Sequence, residues 1–466
     1  GPGVMGMVAY GTSYVSLLGF INGIFGSAHI KLVSEGREHS ECMGVFTRLQ
    51  GICALIYFIA VLALFLVRKY LLHYPFESKE LELIIIIALL THTFELYGQY
   101  ANVVFTANLQ QAKANLPQFF KTIIFHIGRI LIVIFCVKNL ALKLYSWNLI
   151  LAILFIPIIH RLLKGYPIGK YNHNLAKEYV RYGKFIFAMV IIGSITQYSD
   201  KLMLAHFTNT TQLGYYSAAH SIGGLILLLA SSVGLIFFPL FSGYISNGDW
   251  DSVNGKIYQY HEFIILFLFP LICLLAIIGG PVMLLILGTK YKPSIIPFQI
   301  LIFASYLSVL GMPYGNIISG MGKFNYDVFI NLICLVVFII SIFVFIAPMM
   351  LNLGAVGLAA NQVVMNFTKN GLYLHFAKKL GQVHIKSNNN IRHIIIIGWT
   401  ILAFLISFYL KKFIEIWWLL MIPIYFIPLY LILNITGFMK KEHWKLLLDT
   451  LNVKKTLKYA FNEIKK

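Results

Sequence analysis

The chain has 466 residues, of which 59% are hydrophobic and only 12% charged, and its 37 Lys and Arg outnumber 17 Asp and Glu to give a formal net charge of +20. Soluble globular domains carry about 25% charged residues, so this composition excludes one. Apolar stretches of roughly 18 residues or more recur along the whole length, the mark of a polytopic helical membrane protein rather than a barrel with alternating strands of about 10 residues.

The positive charge reflects Lys- and Arg-rich cytoplasmic loops, not a nucleic-acid surface. Five scattered cysteines without a C-x-x-C pair imply neither a disulfide framework nor a zinc site. No secretory signal is visible, and the chain begins Gly1-Pro2-Gly3 rather than with Met. The hydropathy pattern predicts an all-α protein with about thirteen transmembrane helices. They cover 4–27, 46–67, 81–107, 121–137, 146–163, 182–207, 213–241, 257–287, 295–320, 327–347, 354–376, 391–410 and 414–437.

The third span carries a polar stripe. Thr91, Glu95, Gln99, Asn102 and Thr106 recur at helical spacing, which places them on one face. A carboxylate in such a stripe should face water or a partner rather than lipid, the plain alternative being polar glue between helices. The fourth span sets Thr122, His126 and Arg129 four and three apart. Arg129 stays charged, so near mid-span it needs a counter-charge or an anionic ligand. Glu95 is the expected partner, and a phosphate received by the planar guanidinium is the alternative.

In the centre, 181–224 opens on a basic edge, enters an apolar run, and holds Asp200 and Lys201 well inside it. Ser194, Gln197 and Lys201 share a face, with Asp200 alongside Gln197. Local capping or packing of the helix end is the bland alternative. Asp249-Trp250-Asp251 has the D-x-D form of metal-dependent glycosyltransferases, but in a short inside loop it reads as a solvated turn. Asn209-Thr210-Thr211 is an N-x-T sequon in a short turn. Further on, Gln362, Asn366 and Lys369 repeat the four-and-three spacing, and Tyr306, Tyr314 and Asn316 mark a polar span kinked at Pro313. Glu262, early in its helix, is expected to pair with a loop Lys. The basic tail after Phe438 is amphipathic and suited to a membrane surface. No G-x-x-x-x-G-K-[ST] is present, so ATP hydrolysis in this chain finds no support.

A chain that starts outside and crosses at every span places roughly 26 of the 37 Lys and Arg in or beside inside loops and the tail, against about 9 outside. That puts the C-terminus in the cytoplasm. A weak repeat at an offset of 208 pairs Gly6 with Gly214, Gly26 with Gly234 and Ser34 with Ser242. Transporters are often built from such repeats, with the substrate between them. The second copy is preceded by the 182–207 helix and the first by nothing, so a first helix is expected to be absent and the intact protein to have about fourteen.

An Asp late in a helix, a short turn, and then Gly214-Tyr215-Tyr216-Ser217-Ala218-Ala219 resembles the start of the second half of polysaccharide flippases. These form the Wzx-type branch of the multidrug/oligosaccharidyl-lipid/polysaccharide exporter superfamily. The resemblance implies two pseudo-symmetric helical lobes around a central cavity: an N-terminal lobe over 1–180, a C-terminal lobe over 181–376, then two additional helices and a basic tail over 377–466. It implies a cytoplasmic-membrane transporter, not an enzyme, that flips a polyprenyl-(di)phosphate-linked oligosaccharide by alternating access for surface polysaccharide or glycoprotein synthesis. Arg129, Lys201, Gln197, Gln99, Asn102 and Lys369 are then the candidates for the substrate cavity and its phosphate. Glu95 and Asp200 are the candidates for coupling to H⁺ or Na⁺, with no other cofactor. Expected partners are the lipid-linked substrate, membrane lipids and glycan polymerases or transferases. A multidrug or organic-cation antiporter is the alternative, though it would favour buried carboxylates over buried Arg and Lys; a membrane glycosyltransferase comes third.

Overall fold

A computed structural model describes residues 1–136, 138–384, 389–441, 443 and 444, without side-chain surroundings for 111, 184–186, 188, 189, 226–240, 389 and 390. Its described residues form helices in every expected span and no strand. In chain order these are α1 (Pro2–Ser16), α2 (Phe20–Gly23), α3 (Gly26–Ser34), α4 (His39–Leu66), α5 (Lys79–Ala107), α6 (Gln111–Phe135), α7 (Leu140–Leu163) and α8 (His173–Phe207). Then follow α9 (Thr210–Ser246), α10 (Trp250–Phe263), α11 (Phe269–Leu287), α12 (Ile295–Gly320), α13 (Phe324–Ile346), α14 (Gly354–Leu380), α15 (Asn389–Phe413) and α16 (Trp417–Ile435). Among the described residues nine helical spans are long and apolar enough to cross a membrane, ten if a bent pair counts as one. The chain is a multi-pass membrane protein. The amphipathic reading of the tail falls largely on residues 445–466, outside those described, as do the surroundings of Gly234.

Two compact units divide the chain: Gly1–Ala218 with Asn331–Asn361, and Ala219–Ile330 with Gln362–Lys466.

In the first unit the expected straight span 4–27 is broken. α1 ends at Ser16, and the axis bends by 50° before continuing through Phe20–Ser34. Hydropathy runs unbroken across the bend, but Gly19, Gly23 and Gly26 supply a flexible backbone. A break inside a bilayer strands carbonyls that no water can reach, so neighbours must serve them. α4 does this: Tyr57 donates its buried hydroxyl to Val15 O at 3.0 Å, and the Gln50 amide donates to Asn22 O at 3.1 Å. Near the other end of α4, Phe46 is buried between His29, 4.3 Å away ring to ring, and Tyr100 at 5.3 Å.

α1 and α9 also meet in this unit. A Cβ added to Gly6 would overlap Thr210 O, and one added to Gly214 would overlap Pro2 O. Thr210 and Pro2 each lie four residues before the glycine that touches the opposite helix, so the contact is reciprocal and obeys the 208-residue repeat. Close backbone approach at small residues is the main way membrane helices pack tightly. Beside this crossing, Glu77 accepts the Thr210 N–H at 3.0 Å, a carboxylate placed favourably at the positive end of α9. Asn209, the sequon residue, accepts the Gln212 N–H at 2.9 Å and so serves as a cap.

The second unit shows how prolines are accommodated. Pro313 in α12 has no N–H, so Val309 O lacks its helical donor; Tyr260 supplies one at 2.8 Å. Pro270 similarly frees Leu266 O, which accepts from the Tyr430 hydroxyl at 3.2 Å. Glu262 pairs not with a loop Lys but with Arg392 of α15, and its other oxygen meets His443 at 3.2 Å. Arg392 is the better partner because its side chain is almost wholly buried, at 5% exposure, where an unpaired charge would be expensive. Asp249 caps α10 by accepting the Ser252 N–H at 3.0 Å, and hydrogen bonding from Ser252 holds its carboxyl below the usual range. The D-x-D motif therefore works as a helix start.

Candidate functional site: a polar cavity between α5, α6 and α7

The stripe on α5 opens onto a cavity of about 320 Å³ in the first unit. Glu95, Gln99 and Asn102 line it together, as their shared helical face requires. The two ends of the stripe do other work. Thr91 is buried and donates to Ile87 O at 2.7 Å, and Thr106 donates towards Asn102 Oδ1 at 3.5 Å. Asn102 itself reaches across to Ala114 O of α6 at 3.2 Å, tying the two helices together at the cavity edge.

The opposite wall comes from α6, which starts ten residues earlier than the expected 121–137 span. Its first turns add Lys113, Pro117, Gln118 and Lys121 to the lining, while α7 contributes Ala152, Phe155 and Ile159. Pro117, inside the helix, removes the donor that Lys113 O would otherwise have. The wall is thus polar in both side chain and backbone.

The expected Glu95–Arg129 pair is replaced. Glu95 accepts from Lys121 Nζ at 2.8 Å, and the Lys121 side chain is only 15% exposed. Arg129 lies two turns further along α6 and stacks its guanidinium over Phe125, 4.9 Å from the ring centroid. It interacts electrostatically with Tyr145 of α7. Tyr145 in turn meets Thr12 at 2.5 Å and donates to Val8 O of α1 at 2.8 Å. Arg129 therefore belongs to a neighbouring polar cluster, while Lys121, paired with Glu95, and Lys113 are the cations of the cavity. The lining carries two lysines and one glutamate, 2 − 1 = +1 in formal charge. Coulomb interactions are several-fold stronger at the lower effective dielectric of such a site than in bulk water.

The other candidates lie elsewhere. On α8, Asp200 is buried at 3% exposure and accepts the Lys201 N–H at 2.6 Å, Lys201 is half-buried and Gln197 exposed. None of the three lines the α5–α7 cavity. Lys369 belongs to the second unit, where its ammonium lies 5.7 Å from the Tyr373 ring centroid. The nearby Asn366 is spent on Ala304 O at 2.8 Å. Among the described residues no group of three or more His, Cys, Asp or Glu could hold a metal ion.

Residues 3–296 match the family described as polysaccharide biosynthesis protein. The chain belongs to this family. The match runs from α1 into α12 and so takes in the whole α5–α7 cavity. No curated protein matches the chain in sequence. In fold, it is similar to the lipid II flippase MurJ in its inward closed conformation, with a TM-score of 0.69 and 16% identity over 93% of this chain and 95% of that one. It is also similar to an inward-facing multidrug resistance MATE family transporter of the MOP superfamily, with a TM-score of 0.65 and 14% identity over 82% and 92%. The fold of this polysaccharide biosynthesis protein is therefore that of the MOP transporters, as the Gly214–Ala219 signature implied.

Proposed function

We propose that the protein flips a polyprenyl-(di)phosphate-linked oligosaccharide across the cytoplasmic membrane for assembly of a surface glycan. The observation that carries this reading is the α5–α7 cavity, which sets two lysines, a glutamate and three amides among apolar side chains in the membrane helices of a polysaccharide biosynthesis protein. Lys121 and Lys113 offer ammonium donors to a phosphate, which otherwise pays a large desolvation cost in a low dielectric. Gln99, Gln118 and Asn102 offer the amide donors and acceptors that sugar hydroxyls require. Glu95 holds Lys121 in place until an anion competes for it.

Protonation of Glu95, or Na⁺ at its carboxylate, would free Lys121 for phosphate, which gives a route from an ion gradient to substrate binding. Asp200, buried on α8, is a second coupling candidate, and Arg129, Lys201, Gln197 and Lys369 remain candidates for steps beyond this cavity. Alternating access with the C-terminus in the cytoplasm is the motion we infer. Glycan polymerases or transferases would act on its substrate before and after transport. The net positive lining speaks against an organic-cation antiporter, which would need the opposite balance.

The test is glycan export in a flippase-null host supplied with the chain. Restored surface glycan that is lost in Lys121→Gln but kept in Lys121→Arg supports the reading. Export unaffected by Lys121→Gln would remove this cavity from the transport path.

A further inference from the structure

A second basic site lies outside the α5–α7 cavity, where the start of α8 packs beside α4. A pocket of about 380 Å³ there is lined by Leu49, Tyr171, His173, Lys177, Val180 and Arg181. Arg48, on the same turn as Leu49, sets its guanidinium 5.1 Å from the Tyr171 ring centroid. Three cationic side chains, Arg48, Lys177 and Arg181, thus gather at one rim with a histidine between them. The two neighbouring carboxylates are turned to other duties: Glu178 pairs with Arg37 at 3.1 Å, and Glu41 accepts from the Asn172 amide at 3.1 Å. Among the described residues, Arg48, Lys177 and Arg181 form no ion pair with a carboxylate.

The apolar surface next to this rim continues it in one direction. From Arg48, steps of four, three and four along α4 reach Ile52, Leu55 and Ile59, all more than half exposed. Eleven residues of helix rise about 16 Å, close to half of a hydrocarbon core of about 30 Å. The order of cations, interfacial tyrosine and then an apolar track one leaflet deep is the order of groups in an anionic amphiphile. Basic pockets between helices on the cytoplasmic side are suited to acidic headgroups.

We infer that the α4–α8 pocket is a binding site for the phosphate headgroup of an anionic bilayer phospholipid, with its acyl chains along Ile52, Leu55 and Ile59. The site is distinct from the transport cavity, and its occupancy does not depend on which substrate the protein carries. A lipid held there braces the start of α8, the long helix that bears Asp200.

The test counts lipids bound to the purified full-length chain by native mass spectrometry during titration with dioleoylphosphatidylglycerol or dioleoylphosphatidylcholine. The expected result is one phosphatidylglycerol bound at least tenfold tighter than phosphatidylcholine. The preference disappears in the Lys177→Gln/Arg181→Gln variant and persists in Lys411→Gln/Lys412→Gln, an exposed lysine pair at the end of α15. All four side chains are exposed, so folding is not at stake. An unchanged preference in Lys177→Gln/Arg181→Gln overturns the site. Polyprenyl phosphate bound tenfold tighter than phosphatidylglycerol through the same two residues would overturn the assignment to a bilayer lipid. Competition by inorganic phosphate at the same concentration as lipid would do the same.

Discussion

The reciprocal crossing of Gly6 and Gly214 predicts a sharp difference between glycines that look alike in the sequence. In Gly214→Ala the new Cβ would overlap Pro2 O, lie 2.6 Å from Pro2 C and 3.1 Å from Gly6 N. Carbon pairs are comfortable at about 3.5–4.0 Å, so α1 and α9 must part by about 1 Å. These atoms are backbone and cannot rotate away. Overpacking of this kind costs about 1–3 kcal/mol, and the higher helix propensity of Ala returns up to about 1 kcal/mol. The net expectation is a loss of about 1–2 kcal/mol for either Gly6→Ala or Gly214→Ala. Gly51→Ala on α4 and Gly193→Ala on α8 are the controls, because nothing lies within 4 Å of a Cβ at either position. They should be neutral or more stable by up to about 1 kcal/mol. Equilibrium unfolding in mixed micelles with a rising dodecyl sulfate fraction measures all four. If Gly214→Ala matched Gly51→Ala, the close approach of the two helices would be refuted.

Tyr260→Phe removes the hydroxyl that serves the carbonyl freed by Pro313 and should cost about 1–3 kcal/mol, whereas in Pro313→Ala the same change should cost far less; the double-mutant cycle in the same unfolding assay decides. Glu262→Gln removes a carboxylate charge paired with the buried Arg392 and should lower stability by about 3–5 kcal/mol, seen as loss of monodisperse protein after mild heating. Tyr57→Phe strips the donor from Val15 O at the break after α1, and hydrogen exchange at Leu17–Gly19 should accelerate relative to α4; unchanged protection would show that the carbonyl has another donor. Glu95→Gln should keep the cavity but release Lys121, so glycan export should lose its response to the ion gradient; export that still follows the gradient would remove Glu95 from coupling.

How much of this was legible in the sequence varies by element. The helical class and the positions of the spans followed from hydropathy, because a lipid-facing helix must be apolar for most of its length. The stripe of Glu95, Gln99 and Asn102 was legible for the same reason in reverse: three polar residues at helical spacing are conspicuous in such a run. Their partner was not. Lys121 stands where the apolar part of α6 begins, so hydropathy made it a boundary, although the helix continues back through Pro117 to Gln111. Spacing could link residues within α5 but not choose between Lys121 and Arg129 on α6, since both are within two turns of each other. The bend after Ser16 was also hidden, because its cost is met by Gln50 and Tyr57 some thirty to forty residues away. Finally, the 208-residue repeat pointed to Gly6 and Gly214 as equivalents, but equivalence does not reveal contact.

We propose that the α5–α7 cavity receives the phosphate of a lipid-linked sugar. The deciding experiment places the chain in proteoliposomes that contain a fluorescent polyprenyl-diphosphate disaccharide. The fraction of that lipid accessible to a membrane-impermeant reagent is followed over time. The protein should render both leaflets' lipid accessible, Lys121→Gln should slow this at least tenfold, and Lys121→Arg should restore most of it. Translocation at the wild-type rate in Lys121→Gln, with the protein folded in the membrane, would contradict it.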